Sequence, residues 1–290
     1  MSRIPNPRVS VVIPTYNRLS LLREAVFSVL QQTQPPAELI VADDGSGDCT
    51  GEYVQALEAP FPVRYVHLPH CGLPGKVRNA GARPAVGEYL AFLDSDDLWR
   101  PQKLARQIAF FVENPGIGIC HTRELWRRGK KTVSQAGQRH RRSGWIFADA
   151  LKKCIIGPST VMMRRELFER FGGFREDLEI AEDYELWLRI TTEHPVGYVE
   201  EPLVIKRAGH ADQLSEKYGQ IEIFRIRALL VNLEEGRFRG EQRALAAKQL
   251  NRKCLIYANG CRKRGKIGEA RRYREMAARY DKGSPPGTAV

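Results

Sequence analysis

Short runs of apolar, mostly β-branched residues alternate with helical spacing of apolar residues through the first 120 residues. The run at residues 9–13 ends at Pro14, and apolar residues then recur every three or four positions from 19 to 30. Strands that alternate with helices in this way build a parallel, doubly wound α/β sheet. The further predicted strands lie at 39–42, 63–66, 89–93 and 117–120.

Polar clusters follow three of these strands at the point where each strand ends. In open α/β sheets, ligands bind beyond the carboxyl ends of the strands. We therefore expect the three clusters to meet at one edge of the sheet and form a binding site. The clusters are Pro14-Thr15-Tyr16, Asp43-Asp44 and Asp94-Ser95-Asp96-Asp97.

The third cluster places three acids within four residues, Asp94, Asp96 and Asp97. Carboxylates this close repel one another unless a cation is present. Hard divalent cations prefer oxygen ligands, and Mg²⁺ commonly uses one or two carboxylates together with substrate phosphates. The cluster therefore predicts a metal–diphosphate site. The alternative is that one acid caps the following helix, but capping does not explain three acids.

Other phosphate chemistries fit the sequence less well. Gly45, Gly47 and Gly51 lack the spacing of a dinucleotide-binding loop and follow two aspartates that would repel a pyrophosphate. No phosphate-binding loop of the GxxxxGK[ST] type is present. A phosphatase of the haloacid dehalogenase type also uses Asp-x-Asp after a strand, yet Leu98 stands where Thr or Val belongs and three strands precede the motif. That phosphatase and a non-catalytic nucleotide or nucleic-acid binder remain as alternatives.

The net charge of +12 is concentrated in two segments. Residues 121–144 carry a net charge of +7 and residues 237–282 carry +11, which leaves −6 for the rest of the chain. Such segments suit anionic lipid head groups, a phosphate-bearing acceptor or nucleic acid, and they also suit a solvated helical surface. Because they lie outside the motif-bearing region, we do not expect nucleic acid to be the partner.

No apolar stretch approaches the roughly 20 residues that span a bilayer, and residues 1–8 lack the apolar run of a signal peptide. We therefore expect a cytoplasmic protein. The six cysteines form no CxxC pair and are interpreted as reduced thiols. His67, His70 and Cys71 lie close together but lack a fourth metal ligand at suitable spacing.

Five motifs in a fixed order resemble glycosyltransferase family 2, over residues 8–215. The resemblance implies the GT-A fold, a Rossmann-like, mainly parallel doubly wound sheet. It also implies Mn²⁺- or Mg²⁺-dependent transfer of a sugar from a nucleotide-sugar donor, most often a UDP-sugar, with inversion at the anomeric carbon. The product would belong to polysaccharide or cell-surface glycan synthesis. The motifs are residues 9–17, 41–46, 78–81, 85–90 and 92–97.

The resemblance also implies roles for residues around the donor. Pro14, Thr15 and Tyr16 match the loop that meets the nucleotide base. Asp43 matches the acid that bonds the base, and Asp44 lies beside it near the ribose.

Further roles follow along the chain. Arg78 matches a basic residue near the base and the phosphates. Asp94 is expected toward the ribose or sugar and Asp96 on the metal ion. His210 resembles a residue of a late loop that closes over the diphosphate or metal, although a lone histidine is often only a surface residue.

Inversion requires one base on the opposite face of the sugar. Glu182-Asp183 resembles the pair that supplies this base, and Asp183 is the predicted catalytic residue. A helix N-terminus favours the carboxylate form, but the same two acids also suit an ordinary helix start. One departure from the family pattern is Arg175, which stands where an acid is usual.

Helical spacing continues from about residue 220 to 280, and we place a helical extension at 216–282, followed by a disordered tail at 283–290. Residues 251–280 resemble one tetratricopeptide-like hairpin, which is too short for a solenoid of roughly three repeats. The extension is therefore expected to pack on the catalytic domain, to mediate a homodimer or to lie near a membrane. A glycan or lipid-linked acceptor at the inner membrane face would suit its basic charge.

Overall fold

The computed structural model describes residues 8–129, 131–133, 142–207 and 221–280. His210, the boundary predicted at residue 215 and the tail at 283–290 lie outside the described residues. Within the described ranges the chain forms a nine-stranded sheet with helices packed against it.

The strands and helices occur in the following order along the chain. The strands are β1 (Val9–Thr15), β2 (Glu38–Asp43), β3 (Val63–His67), β4 (Tyr89–Phe92), β5 (Leu98–Trp99), β6 (Ile119–Arg128), β7 (Lys131–Val133), β8 (Val161–Arg164) and β9 (Gly197–Arg207). The helices are α1 (Leu19–Leu30), α2 (Thr50–Gln55), α3 (Pro74–Ala82), α4 (Lys103–Glu113), α5 (Phe147–Ala150), α6 (Arg165–Arg170), α7 (Glu182–Thr191), α8 (Ile221–Glu234), α9 (Gly240–Lys263) and α10 (Ile267–Arg279).

The strand order is β3-β2-β1-β4-β8-β6-β9-β5, with β7 paired to β6. The first four strands are parallel, and Val11 of β1 lies between Leu39 of β2 and Ala91 of β4. Strand β8 continues the sheet in the antiparallel direction, whereas β6 and β9 are parallel to each other. The predicted parallel core is confirmed, and its carboxyl ends form one edge.

Both faces of this parallel core are buried. Alternate residues of β1 point to opposite faces, so Val11 and Ile13 join one apolar cluster and Val12 joins the other. A strand buried on both faces reads as a continuous apolar run, which is why the sequence predicted it. Helix α3 lies so close to Val12 that a Cβ atom on Gly81 would stand 2.5 Å from its Cγ1 atom.

The helical extension shares an apolar core with α7. Tyr184 and Leu188 of α7 pack in one cluster with Leu229 of α8 and Leu250 of α9. The predicted packing of the extension on the rest of the protein is therefore observed, while the division into two domains stays a prediction. Within the described ranges no helix combines the length and the apolar composition needed to span a bilayer.

A lysine lies inside the apolar layer beneath the sheet. Lys103 is 0% exposed, and its Nζ atom donates to Oε1 of Gln107 at 2.6 Å. The same Nζ atom lies 3.9 Å from the ring centroid of Trp99. Among the described residues no carboxylate pairs with it, and burial lowers the pKa of Lys103 to about 7.

We expect Lys103→Met to raise the free energy of unfolding at pH 7 by roughly 1–4 kcal/mol. Between pH 7 and 10.5 the unfolded wild-type chain holds this proton more readily than the folded one. Wild-type stability should therefore rise with pH across this window, and the variant should lack that increment. Urea unfolding at pH 7 and 9 measures both effects, with exposed Lys248→Met as the control. Equal pH slopes for wild type and Lys103→Met would contradict the buried neutral lysine.

Candidate active site

A cavity of about 530 Å³ opens at the carboxyl ends of β1, β2 and β4, opposite the first turn of α7. Its wall contains most of the predicted site residues, so the structure brings them together from five separate chain segments. Those residues are Pro14, Thr15, Tyr16, Asp44, Arg78, Asp94, Asp96 and Asp183. Asp43 does not belong to this wall, and His210 is outside the described residues.

An aromatic pair forms one end of the cavity. The rings of Tyr16 and His70 are stacked, with centroids 4.0 Å apart and an interplanar angle of 15°. Nδ1 of His70 lies 2.9 Å from Oδ2 of Asp44. Asp44 also accepts hydrogen bonds from the backbone N–H groups of Cys71 at 2.9 Å and Gly72 at 2.8 Å. His70 and Cys71 are therefore part of the cavity wall and not ligands of a metal ion.

The two neighbouring aspartates at the end of β2 have different surroundings. Asp43 is 0% exposed and accepts hydrogen bonds from the hydroxyl groups of Ser46 at 2.5 Å and Tyr65 at 2.6 Å. Asp44 faces the cavity instead. Asp43 is not part of the cavity wall, and its contact with a nucleotide base stays a prediction. Asp44 is the better placed of the two.

Arg78 is a buried bridge between two carboxylates. Its Nη2 atom donates to Oδ1 of Asp94 at 2.6 Å, and its Nη1 atom donates to Oε1 of Glu182. Burial opposes its charge, but the carboxylates of Asp94 and Glu182 outweigh burial and raise the pKa of Arg78. The guanidinium therefore fixes the end of β4 against the start of α7, a role that the sequence did not predict.

The acid cluster is compact. One carboxylate oxygen from each of Asp94, Asp96 and Asp97 lies within 4.8 Å of the other two. Burial raises the pKa of Asp97 to about 7, and burial together with the charge of Asp94 raises the pKa of Asp96. Carboxylates that resist ionisation together gain from a divalent cation, so these oxygen donors fit Mn²⁺ or Mg²⁺.

The members of the acid cluster are not equivalent. Asp97 is 3% exposed and accepts a hydrogen bond from the hydroxyl of Ser159 at 2.6 Å, with Nζ of Lys206 at 3.7 Å. Asp96 lies 3.4 Å from Nη1 of Arg18. All three acids line the cavity, and Asp97 is the most buried of them and is held by Ser159.

Helix capping does not explain the cluster. Helix α4 begins at Lys103, its N-cap is Gln102, and β5 lies between the acids and the helix. None of the three acids is therefore near enough to cap α4.

The first turn of α7 directs two acids in different directions. The residue before the helix, Ala181, has a φ of 68°, in the left-handed region. Glu182 and Asp183 both line the cavity, and Glu182 also contacts Arg78. Oδ2 of Asp183 lies 3.3 Å from the thiol sulfur of Cys154, which donates to it. No motif predicts this thiol contact, because Cys154 lies 29 residues from Asp183 and belongs to no recognised pattern.

Two residues of the predicted pattern acquire structural roles. The side-chain amide of Asn79 donates to the carbonyl of Phe174 at 2.8 Å and accepts from its N–H at 2.9 Å, which ties α3 to the turn at residues 172–174. Arg175, where an acid is usual, donates to Asp177 and to Glu235, the residue after α8, both at 2.6 Å. The departure therefore links the turn to the helical extension.

Solved structures with a similar fold are glycosyltransferases. Residues 1–349 of TarS from S. aureus, solved with UDP-GlcNAc, superpose with a TM-score of 0.65 at 18% identity, covering 96% of this chain and 92% of that one. The mannosyltransferase PcManGT from Pyrobaculum calidifontis, solved with GDP-Man and Mn²⁺, gives 0.62 at 22% identity, covering 97% and 77%. The fold and the site define a glycosyltransferase of the GT-A class.

The sequence model of glycosyl transferase family 2 matches residues 10–172, and the chain belongs to this family. An uncharacterized glycosyltransferase of Rickettsia felis is 36% identical over 198 residues, which is 68% of this chain and 32% of that protein. The putative teichuronic acid biosynthesis glycosyltransferase TuaG of Bacillus subtilis is 36% identical over 166 residues, covering 55% and 63%.

These comparisons confirm the predicted family, the GT-A fold and the enzyme class. The phosphatase and the non-catalytic binder are therefore wrong. The chain spans about a third of the length of the rickettsial relative.

We expect Arg78→Met to lower the free energy of unfolding by roughly 3–5 kcal/mol, because it leaves the buried Glu182 and the partly buried Asp94 without their shared cation. Urea unfolding measures this loss. Adding Glu182→Gln should recover part of it. The control is Arg83→Met, which removes an exposed arginine paired with the exposed Glu176 at 2.9 Å. An Arg78→Met variant as stable as that control would contradict the bridge.

Proposed function

We propose that the enzyme transfers a sugar from a nucleoside-diphosphate sugar, with UDP-sugars as the first candidates, to an acceptor hydroxyl with inversion. The observation that carries the proposal is that Asp94 and Asp96 share one cavity with Asp183. Membership of glycosyl transferase family 2 supports it, as do the UDP-GlcNAc of TarS and the GDP-Man of PcManGT.

A divalent ion belongs at Asp96, with Asp94 beside it. Asp94 and Asp96 expose 21% and 16% of their side chains, against 5% for Asp97, so these two carboxylates are the more accessible to the ion and the donor. Bound Mn²⁺ or Mg²⁺ would supply Lewis-acid neutralisation of the charge that grows on the departing diphosphate. Arg78 holds Asp94 toward this position through its 2.6 Å contact.

Asp183 is the proposed general base. It accepts the proton of the acceptor hydroxyl as the oxygen bonds to the anomeric carbon and the bond to the diphosphate breaks on the opposite face. One displacement of this kind inverts the anomeric centre. The thiol of Cys154 donates a hydrogen bond to Oδ2 of Asp183 and restricts the rotation of that carboxylate. Glu182 is not the proposed base, because its carboxylate is paired with Arg78.

The nucleotide belongs at the aromatic end of the cavity. Tyr16 is 39% exposed and its ring is stacked on His70, so one face of the pair is open to a base. Pro14 and Thr15 continue this wall, and the carboxylate of Asp44 lies beside them in the cavity. Asp43 supports the wall from inside the turn through Ser46.

We place the acceptor among glycans or lipid-linked glycans, in polysaccharide or cell-surface glycan synthesis. TuaG, whose name refers to teichuronic acid biosynthesis, supports this class. A cytoplasmic location at the inner membrane face, a homodimer and a role of His210 at the metal ion remain predictions.

A peripheral membrane contact has a candidate surface on α9. Leu255 and Ile256 are 42% and 57% exposed, and helical spacing places the exposed Arg252 and Lys263 on the same side. Exposed apolar side chains flanked by cations suit an anionic bilayer, because burial and charge attraction act together.

Asp96→Asn should abolish the stimulation of nucleoside-diphosphate release by Mn²⁺ or Mg²⁺. Asp183→Asn should retain donor binding and lower transfer by at least about 100-fold, the low end of general-base effects. Donor binding is measured by calorimetry and release by a coupled assay across UDP- and GDP-sugars. The matched control is Asp177→Asn, an exposed aspartate outside the cavity. Full transfer by Asp183→Asn would refute the assigned base.

Binding to vesicles of phosphatidylglycerol and phosphatidylcholine tests the surface on α9. The double variant Leu255→Asp with Ile256→Asp should reduce the bound fraction several-fold, since it removes apolar burial and adds repulsion. Val112→Asp, a similarly exposed position on α4, is the control. If the double variant co-sediments with the vesicles as well as wild type does, the surface on α9 does not bind the membrane.

A further inference from the structure

A partly buried tryptophan of β6 lines the cavity, and no motif of the sequence includes it. Through Met162 of β8, the register of the sheet places Cys120 of β6 level with Ala91 of β4. Strand β6 runs parallel to β4 and continues to Arg128, well past this level. Trp126 therefore lies beyond the carboxyl edge of the sheet, where it forms part of the cavity wall.

The strand order separates Trp126 from the aromatic end of the cavity that holds Tyr16. Tyr16 follows β1, the three clustered acids follow β4, and Trp126 belongs to β6, in the order β1-β4-β8-β6. Neighbouring strands lie about 4.8 Å apart, so β1 and β6 are separated by about 14 Å. The cavity thus has an aromatic side chain on each side of its acids, and only Tyr16 lies on the side assigned to the nucleotide.

A short loop joins Trp126 to the proposed base. The thiol of Cys154, at one end of this loop, donates to Asp183 at 3.3 Å. At the other end, a Cβ atom on Gly157 would stand 3.2 Å from Oε2 of Glu124, whose Oε1 atom accepts a hydrogen bond from the indole N–H of Trp126 at 2.6 Å. The Cα atoms of Cys154 and Gly157 are at most about 11 Å apart. Trp126 and Asp183 therefore flank the same side of the cavity.

The indole ring of Trp126 is held in place by charged neighbours. Its N–H group is bound to Glu124, and Lys206, its partner in the register between β6 and β9, places Nζ 5.8 Å from the ring centroid. The same Nζ atom lies 3.7 Å from Oδ2 of Asp97. A ring that is already oriented loses little conformational freedom when a ligand packs on it.

We propose that a pyranose ring of the acceptor packs on Trp126, with its reacting hydroxyl toward Asp183. The proposal rests on the proposed transferase function and locates the acceptor within its site. One face of a pyranose carries C–H groups that pack on an aromatic ring, while its hydroxyl groups bond to polar groups around the ring. The base lies on the acceptor side of the transferred sugar, so the wall that is joined to Asp183 receives the acceptor.

Fluorine NMR of protein labelled with 5-fluorotryptophan tests this contact without turnover. The chain has four tryptophans, and single Trp→Phe variants assign their resonances. Methyl glycosides of glucose, galactose, mannose and N-acetylglucosamine are titrated after the nucleotide end has been filled with UDP and Mn²⁺. At least one glycoside should shift the Trp126 resonance saturably. The resonance of Trp145, which is 60% exposed and outside the cavity wall, should stay unchanged.

Substitutions at Trp126 separate ring packing from its hydrogen bond. Trp126→Ala should weaken binding of that glycoside at least about tenfold, measured by saturation-transfer NMR, and leave the affinity for UDP within about twofold. Trp126→Phe keeps an aromatic ring without the N–H group and should retain part of the binding. Trp145→Ala is the control and should change neither affinity.

Three results overturn the proposal. They are a Trp126 resonance that no glycoside shifts, an equal shift of the Trp145 resonance, and a shift of Trp126 by UDP alone as large as that by the glycoside. The last result would assign Trp126 to the donor. Absence of metal-dependent nucleoside-diphosphate release is a separate result, which would refute the transferase function while the titration still decides whether Trp126 binds a sugar.

Discussion

A single buried guanidinium holds the two halves of the active site together. Arg78 connects Asp94, at the end of a sheet strand, with Glu182, at the start of α7. Without this cation the buried Glu182 and the partly buried Asp94 would lose the positive charge that both contact. The positions of the donor side and of Asp183 therefore depend on the same residue, and it comes from a third element, α3.

Carboxylates crowd at the end of β4, where one oxygen from each of Asp94, Asp96 and Asp97 lies within 4.8 Å of the other two. Cations line the same cavity, with Arg18 beside Asp96 and Arg78 beside Asp94. Because the three acids repel one another, the cluster gains from a further cation.

The parallel core and the main motifs could be predicted from the sequence because strands buried on both faces leave uninterrupted apolar runs. Strand β9 could not be predicted, since Gly197–Arg207 carries charged residues and Pro202 along a half-exposed course. Adjacent aspartates at a strand end point to opposite sides, so the sequence did not determine that Asp44 rather than Asp43 faces the cavity. The contacts of Arg78 with Glu182 and of Cys154 with Asp183 join segments 104 and 29 residues apart, and spacing within a motif carries no information about them.

The apolar core shared by α7 and the extension has a mechanical consequence. Tyr184 follows the proposed base directly, its ring is buried among side chains of the extension, and its hydroxyl donates to the carbonyl of Leu151 at 2.7 Å. A shift of helices α8 to α10 would therefore move Tyr184 and, with it, the neighbouring carboxylate of Asp183. The helices at residues 221–280 thus support the start of α7, and their packing influences the position of Asp183, the proposed base.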